Sequence, residues 1–223
     1  MNKLTAEQII ENNKRFNSLV TSISRQSRIA DLFDMLNASD FYDAPASCKY
    51  HLNCRGGLVE HSLNVYDNLV TLINSAPNKV IQKISEASVS NNLDETLIIV
   101  ALFHDISKMN FYEPTIINKK IYNTQGSKSD NLGRFDWIAK EEYKTRDNKF
   151  IYGSHEMNSE FIIRQYIPLT ISESIAILHH MGGQAYDSAK DDLSEVFKQY
   201  PLALYLHLAD MMATYVQENE QYN

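Results

Sequence analysis

GGLVEHSLNVYDNLVTLI, residues 56–73, carries apolar side chains at three- and four-residue spacing, so that Leu58, Val65, Leu69 and Leu72 share one face of a helix. His61 falls on that same face. An imidazole among inward-facing positions needs a hydrogen-bonding partner or a metal, because a buried polar group without a partner is costly. The helical period extends outward over most of the chain. Asn92 or Asp94 can cap a helix through LIIVALFHD, Thr170 and Glu173 form a capping box before IAILHH, and a last helix begins near Pro201 and runs to about Val216. The expectation is an all-α chain, a helical bundle forming one domain over residues 1–223.

One segment interrupts the period. From Phe111 to Tyr152, FYEPTIINKKIYNTQGS and the later KFIYG alternate or carry β-branched and aromatic residues around Gly and Asn, which predicts a loop with a short hairpin. Long insertions of this kind in compact domains are often binding loops or lids.

Composition limits the classes of function. Hydrophobic residues at 43% and charged residues at 22% are ordinary globular usage, unlike disordered, collagen-like or disulfide-rich chains. The N-terminal MNKLTAEQIIENNKRF lacks the apolar stretch of a secretory signal. The longest apolar run, Leu97 to Phe103, is far short of the about 20 residues a membrane span needs. These features point to a cytoplasmic protein with no membrane partner. Cys48 and Cys54 are too few for a disulfide framework and read as free thiols. A formal charge of −7 works against bulk duplex nucleic acid as a partner, although the stretch from Lys119 to Lys149 is locally positive.

Five of the seven histidines occur in a suggestive order. His61 lies on one helix, His104-Asp105 at the end of another, His155 after a glycine turn, and His179-His180 before Met-Gly-Gly; Asp210 follows on the last helix. Imidazole and carboxylate suit transition metals with open coordination positions, whereas a closed structural zinc site would use cysteines. Successive helical residues point about 100° apart, so His104 and Asp105 cannot chelate one ion as a flat pair. At a helix end, however, His104 can bind one ion while the two oxygens of Asp105 bridge to a second. Two ions roughly 3.5 to 4 Å apart lower the pKa of a shared water and clamp a phosphoryl oxygen. The expected cofactor is one or two divalent ions from Fe, Mn, Co, Ni or Mg.

The strings GGLVEHSLNVY at 56–66, LFHDISK at 102–108 and HLADMMATY at 207–215 resemble the HD superfamily, most closely a subgroup of bacterial and phage HD-domain hydrolases. The resemblance runs from about Asp40 to Val216 and includes an AI-x-x-HMGG string. It implies a helical metal-dependent phosphohydrolase with His61, His104, Asp105 and Asp210 as core ligands. His155 and His180 match the histidines that complete a second metal site in binuclear members. His180 is preferred over His179, which is placed behind the ligands. The family's Gly-His turn here reads Gly153-Ser154-His155, with Ser inserted.

Lys108 stands one turn after His104 if the helix continues, where its ammonium can reach a phosphate; the HD-x-x-K string resembles the family's phosphate-contacting lysine, though a lysine there also suits the helix dipole. Asp105 and Lys108 are thus the candidate catalytic residues. Arg134, Lys140 and Lys144 interleave with Tyr122, Phe135, Trp137 and Tyr143, types that bind phosphate and stack on bases. His51 lines the mouth of the site or satisfies a turn, and His207 is placed to orient Asp210. The function implied is hydrolysis of a small phosphorylated molecule, a nucleotide first, by attack of metal-activated hydroxide on phosphorus. Two alternatives use the same residues: a di-iron oxygenase of the inositol-oxygenase type, and a non-catalytic nucleotide-binding HD module.

Overall fold

The computed structural model describes residues 4–25, 28–149, 153–184 and 192–218. In chain order the first helices are α1 (Ala6–Thr21), α2 (Ile29–Ala38), α3 (Gly57–Asn74), α4 (Asn78–Glu86) and α5 (Leu93–Phe103). A sheet follows, formed by β1 (Tyr112–Tyr122), β2 (Lys128–Asp130) and β3 (Gly133–Thr145). The chain then returns to helix in α6 (His155–Ile163), α7 (Ile171–Leu178), α8 (Leu193–Gln199) and α9 (Pro201–Met212). Among the described residues no helix is long and apolar enough to cross a membrane.

Helix α5 is the centre of the molecule. Every residue from Glu95 to Phe103 is buried, as expected of a helix apolar all round. Asn92 starts it by accepting from the Glu95 amide. Helix α3 buries Leu58, His61, Val65 and Leu69 against α5 and α9, and α7 packs on both α5 and α9. Leu72 is only partly buried and Ile73 takes the inward position. Thr170 and Glu173 make the capping box of α7, and Pro201 opens α9. Helix α5 stops at Phe103, so His104 caps it and Lys108 closes a 3₁₀ turn (Ile106–Lys108) instead of continuing an α-helix.

The all-α expectation needs correction: the chain is mostly helical but carries a three-stranded antiparallel sheet in the order β1-β3-β2. Strands β1 and β3 run for 11 and 13 residues, longer than the short hairpin expected. Alternating β-branched and aromatic residues (Ile117, Ile121, Phe135, Trp137, Ile138, Tyr143) sustain the pairing over its whole length. Gly126 is required at the first turn, because a Cβ there would lie 2.3 Å from the Phe135 amide nitrogen. Among the described residues the sheet makes no extensive packing against any helix. Its base is tied down by Arg146, which donates to the Tyr112 carbonyl and to Asp40. Residues 150–152, the end of the expected lid and most of KFIYG, lie outside the described residues. Cys48 and Cys54 form no disulfide.

Candidate metal centre

The ends of four helices and the second turn of α3 deliver their polar side chains to one buried point. Asp105, directly after the α5 cap, lies at its centre. Its Oδ2 is 3.4 Å from His104 Nε2, 3.6 Å from His61 Nε2 and 2.6 Å from the Lys108 ammonium. Its Oδ1 faces the other way, 3.6 Å from Nε2 of both His155 and His180. His61 Nε2 is in turn 3.2 Å from Asp210 Oδ1 and 3.3 Å from His104 Nε2. The ligand atoms of His61, His104 and Asp210 lie within 4.8 Å of one another, as do those of His104, Asp105 and His180. These two groups have His104 in common, and Asp105 turns one oxygen toward His61 and His104 and the other toward His155 and His180.

All four imidazoles turn Nε2 inward, and those of His61, His104 and His180 are held by a hydrogen bond to Nδ1 from behind. His104 directly follows the last residue of α5 and His180 comes two residues after the last of α7, and their Nδ1 atoms bond the carbonyls of Ala101 and Ile177 at 2.8 and 2.7 Å. Those carbonyls belong to the last helical turns, where backbone acceptors lack an intrahelical partner. His61 Nδ1 lies 3.1 Å from both carboxylate oxygens of Glu218, and His155 Nδ1 lies 3.5 Å from Glu156 Oε2. Backing an imidazole with a carbonyl or carboxylate fixes its tautomer and raises its basicity as a ligand.

These residues fit a cation. Asp105 Oδ1, His155 Nε2 and His180 Nε2 are buried, point at one another, and have no hydrogen-bond partner. Leaving three such atoms unpaired is costly, and one positive ion would satisfy them together. Burial disfavours a charged His61, yet Glu218 and Asp210 raise its pKa to about 10. Burial opposes ionisation of Asp105, but Lys108 and His104 hold it well below the usual carboxylate range; His61 does the same for Asp210. Burial lowers His155 to about 4, leaving its ring neutral and able to ligate.

Comparison with protein-family profiles, curated proteins and solved structures finds no match.

The structure places the other expected site residues less uniformly. Lys108 is at the centre, through Asp105. His207 does not reach for Asp210; its Nδ1 bonds the His180 carbonyl at 2.6 Å, and its ring lies so close beneath Gly182 that a Cβ there would meet it at 2.7 Å. Asp210 is held instead by the Thr214 hydroxyl at 3.3 Å. His179 is buried but takes no part in the converging groups found among the described residues. Arg134, Lys140 and Lys144 are not brought to the histidines. Side chains alternate across a strand, and the register puts all three on one face of the sheet while Tyr112, Tyr122, Phe135, Trp137 and Tyr143 share the other. Tyr112 lies within electrostatic reach of Lys108, so the aromatic face is the one whose base approaches the centre. Arg134 donates to the Gly126 carbonyl near the far end of the sheet, on the order of 35 Å along the strand from Thr145. Lys144 pairs with Glu113 at 2.9 Å and Lys140 is exposed.

Glu218 is a functional candidate that no local motif marks. After α9 the helix widens into a π-type turn, Ala213–Gln217, whose end puts the Glu218 carboxylate under His61, with Asn64 donating to it at 3.0 Å. Short π segments recur at functional sites. Replacing Glu218 by Gln keeps the shape and removes the charge behind His61. Apparent metal affinity is expected to fall by about 10- to 100-fold, measured by competition with a chelator. An unchanged affinity would reduce Glu218 to a packing residue.

Proposed function

We propose that the chain is a metal-dependent phosphohydrolase of the HD type, a single domain of cytoplasmic character that acts on a small phosphorylated substrate, first a nucleotide. One observation carries this reading: the two oxygens of Asp105 serve two separate imidazole groups, and the atoms facing Oδ1 are buried without partners. His61, His104, Asp105 and Asp210 would hold one ion, and Asp105, His155 and His180 a second. Four imidazoles favour Mn, Fe, Co or Ni over Mg, which prefers oxygen ligands. Bound there, such ions supply an activated water and neutralise phosphoryl charge.

The chain's own groups do the remainder. Asp105 holds the two halves in register, and Glu218 and the Ala101 and Ile177 carbonyls keep the rings of His61, His104 and His180 in place without reorganisation. Lys108, charged and beside Asp105, offers an ammonium to a phosphoryl oxygen. The aromatic face of the sheet, with Tyr112 at its base, is the surface that a base or sugar would meet. Arg134 is too remote for that role.

The same ligand set supports a di-iron oxygenase as the second reading. Both are tested by metal analysis of freshly purified protein, followed by assay of phosphomonoesters, diesters and anhydrides with Mn, Co, Ni or Fe under anaerobic conditions. Phosphate or nucleotide release without oxygen is the expected result. No turnover of any phosphate ester by fully loaded protein, with oxygen uptake on a polyol, would replace the hydrolase by the oxygenase.

A further inference from the structure

His51 stands outside both groups of metal-binding atoms proposed above. It belongs to the turn joining Ala46 to Cys54, which the backbone holds tightly. The Leu52 carbonyl accepts from Ala46 and Cys54, Asn53 donates to the Cys48 carbonyl, and the Ser47 hydroxyl accepts from Lys49 and Tyr50. Leu52 itself is left-handed at φ 43°, a conformation a branched side chain seldom adopts. Gly57 makes the turn possible, since a Cβ on it would lie 2.2 Å from the Leu52 carbonyl. Strain of this kind persists only where the surrounding structure enforces it, and it clusters at ligand-binding sites.

This turn delivers His51 to the wall of the metal centre. Its ring centroid is 4.8 Å from that of His61, and His61, Lys108, Glu218 and Asp105 are the charged groups around it. Both ring nitrogens are buried and neither has a hydrogen-bond partner. Glu218 Oε2, at 3.9 Å, is too far to supply one. His51, His61 and Glu218 could converge on an ion of their own, but His61 Nδ1 and Glu218 already bond each other at 3.1 Å. An ion there would break that pair and require His61 to ligate through both nitrogens.

We infer that His51 is a substrate-binding residue: with Lys108 it forms an anion subsite beside the metals, where the unpaired imidazole donates to an oxygen of a phosphoryl group. A neutral imidazole always carries one N–H donor, and a donor held by a strained, fully bonded turn is preorganised for an oxyanion. This inference rests on the phosphohydrolase reading and adds the residue that would contact its substrate.

The test is calorimetric titration of inorganic phosphate into Mn-loaded protein, with metal content measured on each sample. Wild type is expected to bind phosphate, and His51→Phe, which keeps the ring and removes both nitrogens, to bind it about tenfold or more weakly at unchanged metal content. His51→Gln, whose amide can still donate, should recover part of the loss. His51→Ala reads the same quantity should the Phe variant fail to fold. Wild-type phosphate affinity in metal-replete Phe or Ala variants would overturn the inference, and so would loss of an ion, which would make His51 a ligand. Fully loaded wild type that binds no phosphate would take down the phosphohydrolase reading as well.

Discussion

Asp105→Asn is expected to bind no metal and to lose the thermal stabilisation that added metal gives the wild type. Asp105 alone faces both imidazole groups, with Oδ2 toward His61 and His104 and Oδ1 toward His155 and His180. An asparagine keeps the size but turns one of those oxygens into a donor and removes the charge. Either orientation leaves one half of the centre without a bridging oxygen, and Lys108 without its carboxylate partner. For wild type, metal at a hundred times its dissociation constant stabilises the fold by about 2.7 kcal/mol, an upward shift in Tm of about 5–10 °C for a chain of this length. The variant should show none of that shift and retain only background metal, while its far-ultraviolet circular dichroism reports an intact helical fold. A full metal-induced shift in Asp105→Asn would mean that the ion sits elsewhere, and the reading of the centre would fail.

The convergence on Asp105 could be anticipated because each element arriving there carries a local sign. Asn92 caps α5, Thr170 and Glu173 box the start of α7, Pro201 opens α9, and the apolar stripe of α3 dictates which way His61 points. Fixed helix starts and a 3.6-residue period place His61 and most of its apolar neighbours inward, although at the end of α3 Ile73 takes the position expected of Leu72. The features that escaped are long-range or register-dependent. Glu218 reaches His61 only because the helix widens after Met212, which no periodicity argument anticipates. The alternation of β3 separates the aromatic residues of the insertion from its basic ones, a partition visible only once the register with β1 is known. His51 reads from the sequence as either a residue of the site mouth or a turn residue, because the carbonyl contact through Gly57 that aims it joins positions with no shared pattern.

The Arg25 knot is of the same long-range kind, and it supports the prediction of largest effect on stability. Arg25 follows α1, has a side chain only 8% exposed, and donates to both oxygens of Glu173 at 2.8 and 2.7 Å and to the Pro168 carbonyl at 2.8 Å. Glu95, at the start of α5, lies 3.4 Å from its Nε and accepts from the amides of Ser24 and Arg25. One guanidinium thus compensates two carboxylates exposed by 2% or less, and so joins α1, α5 and α7. Replacing it with the apolar Met fills similar space but leaves those charges buried alone, which should cost about 3–5 kcal/mol at pH 7, or roughly 6–20 °C in Tm for a chain of this size. The pH dependence follows from Glu173. Burial would raise its pKa, but hydrogen bonds from Arg25 and the Thr170 amide hold it below the usual carboxylate value. A depressed folded pKa contributes stability above the unfolded value, and that contribution is lost as pH falls through the folded one. Without Arg25, burial is less opposed, Glu173 shifts upward, and the variant is relieved by protonation over the same acidic range. The gap between the two proteins should therefore be widest near neutrality and narrow toward pH 4, as followed by urea unfolding at successive pH values. A gap under about 1 kcal/mol at pH 7, the range of exposed ion pairs, would show that the knot is solvated, and a gap independent of pH would remove Glu173 from the account.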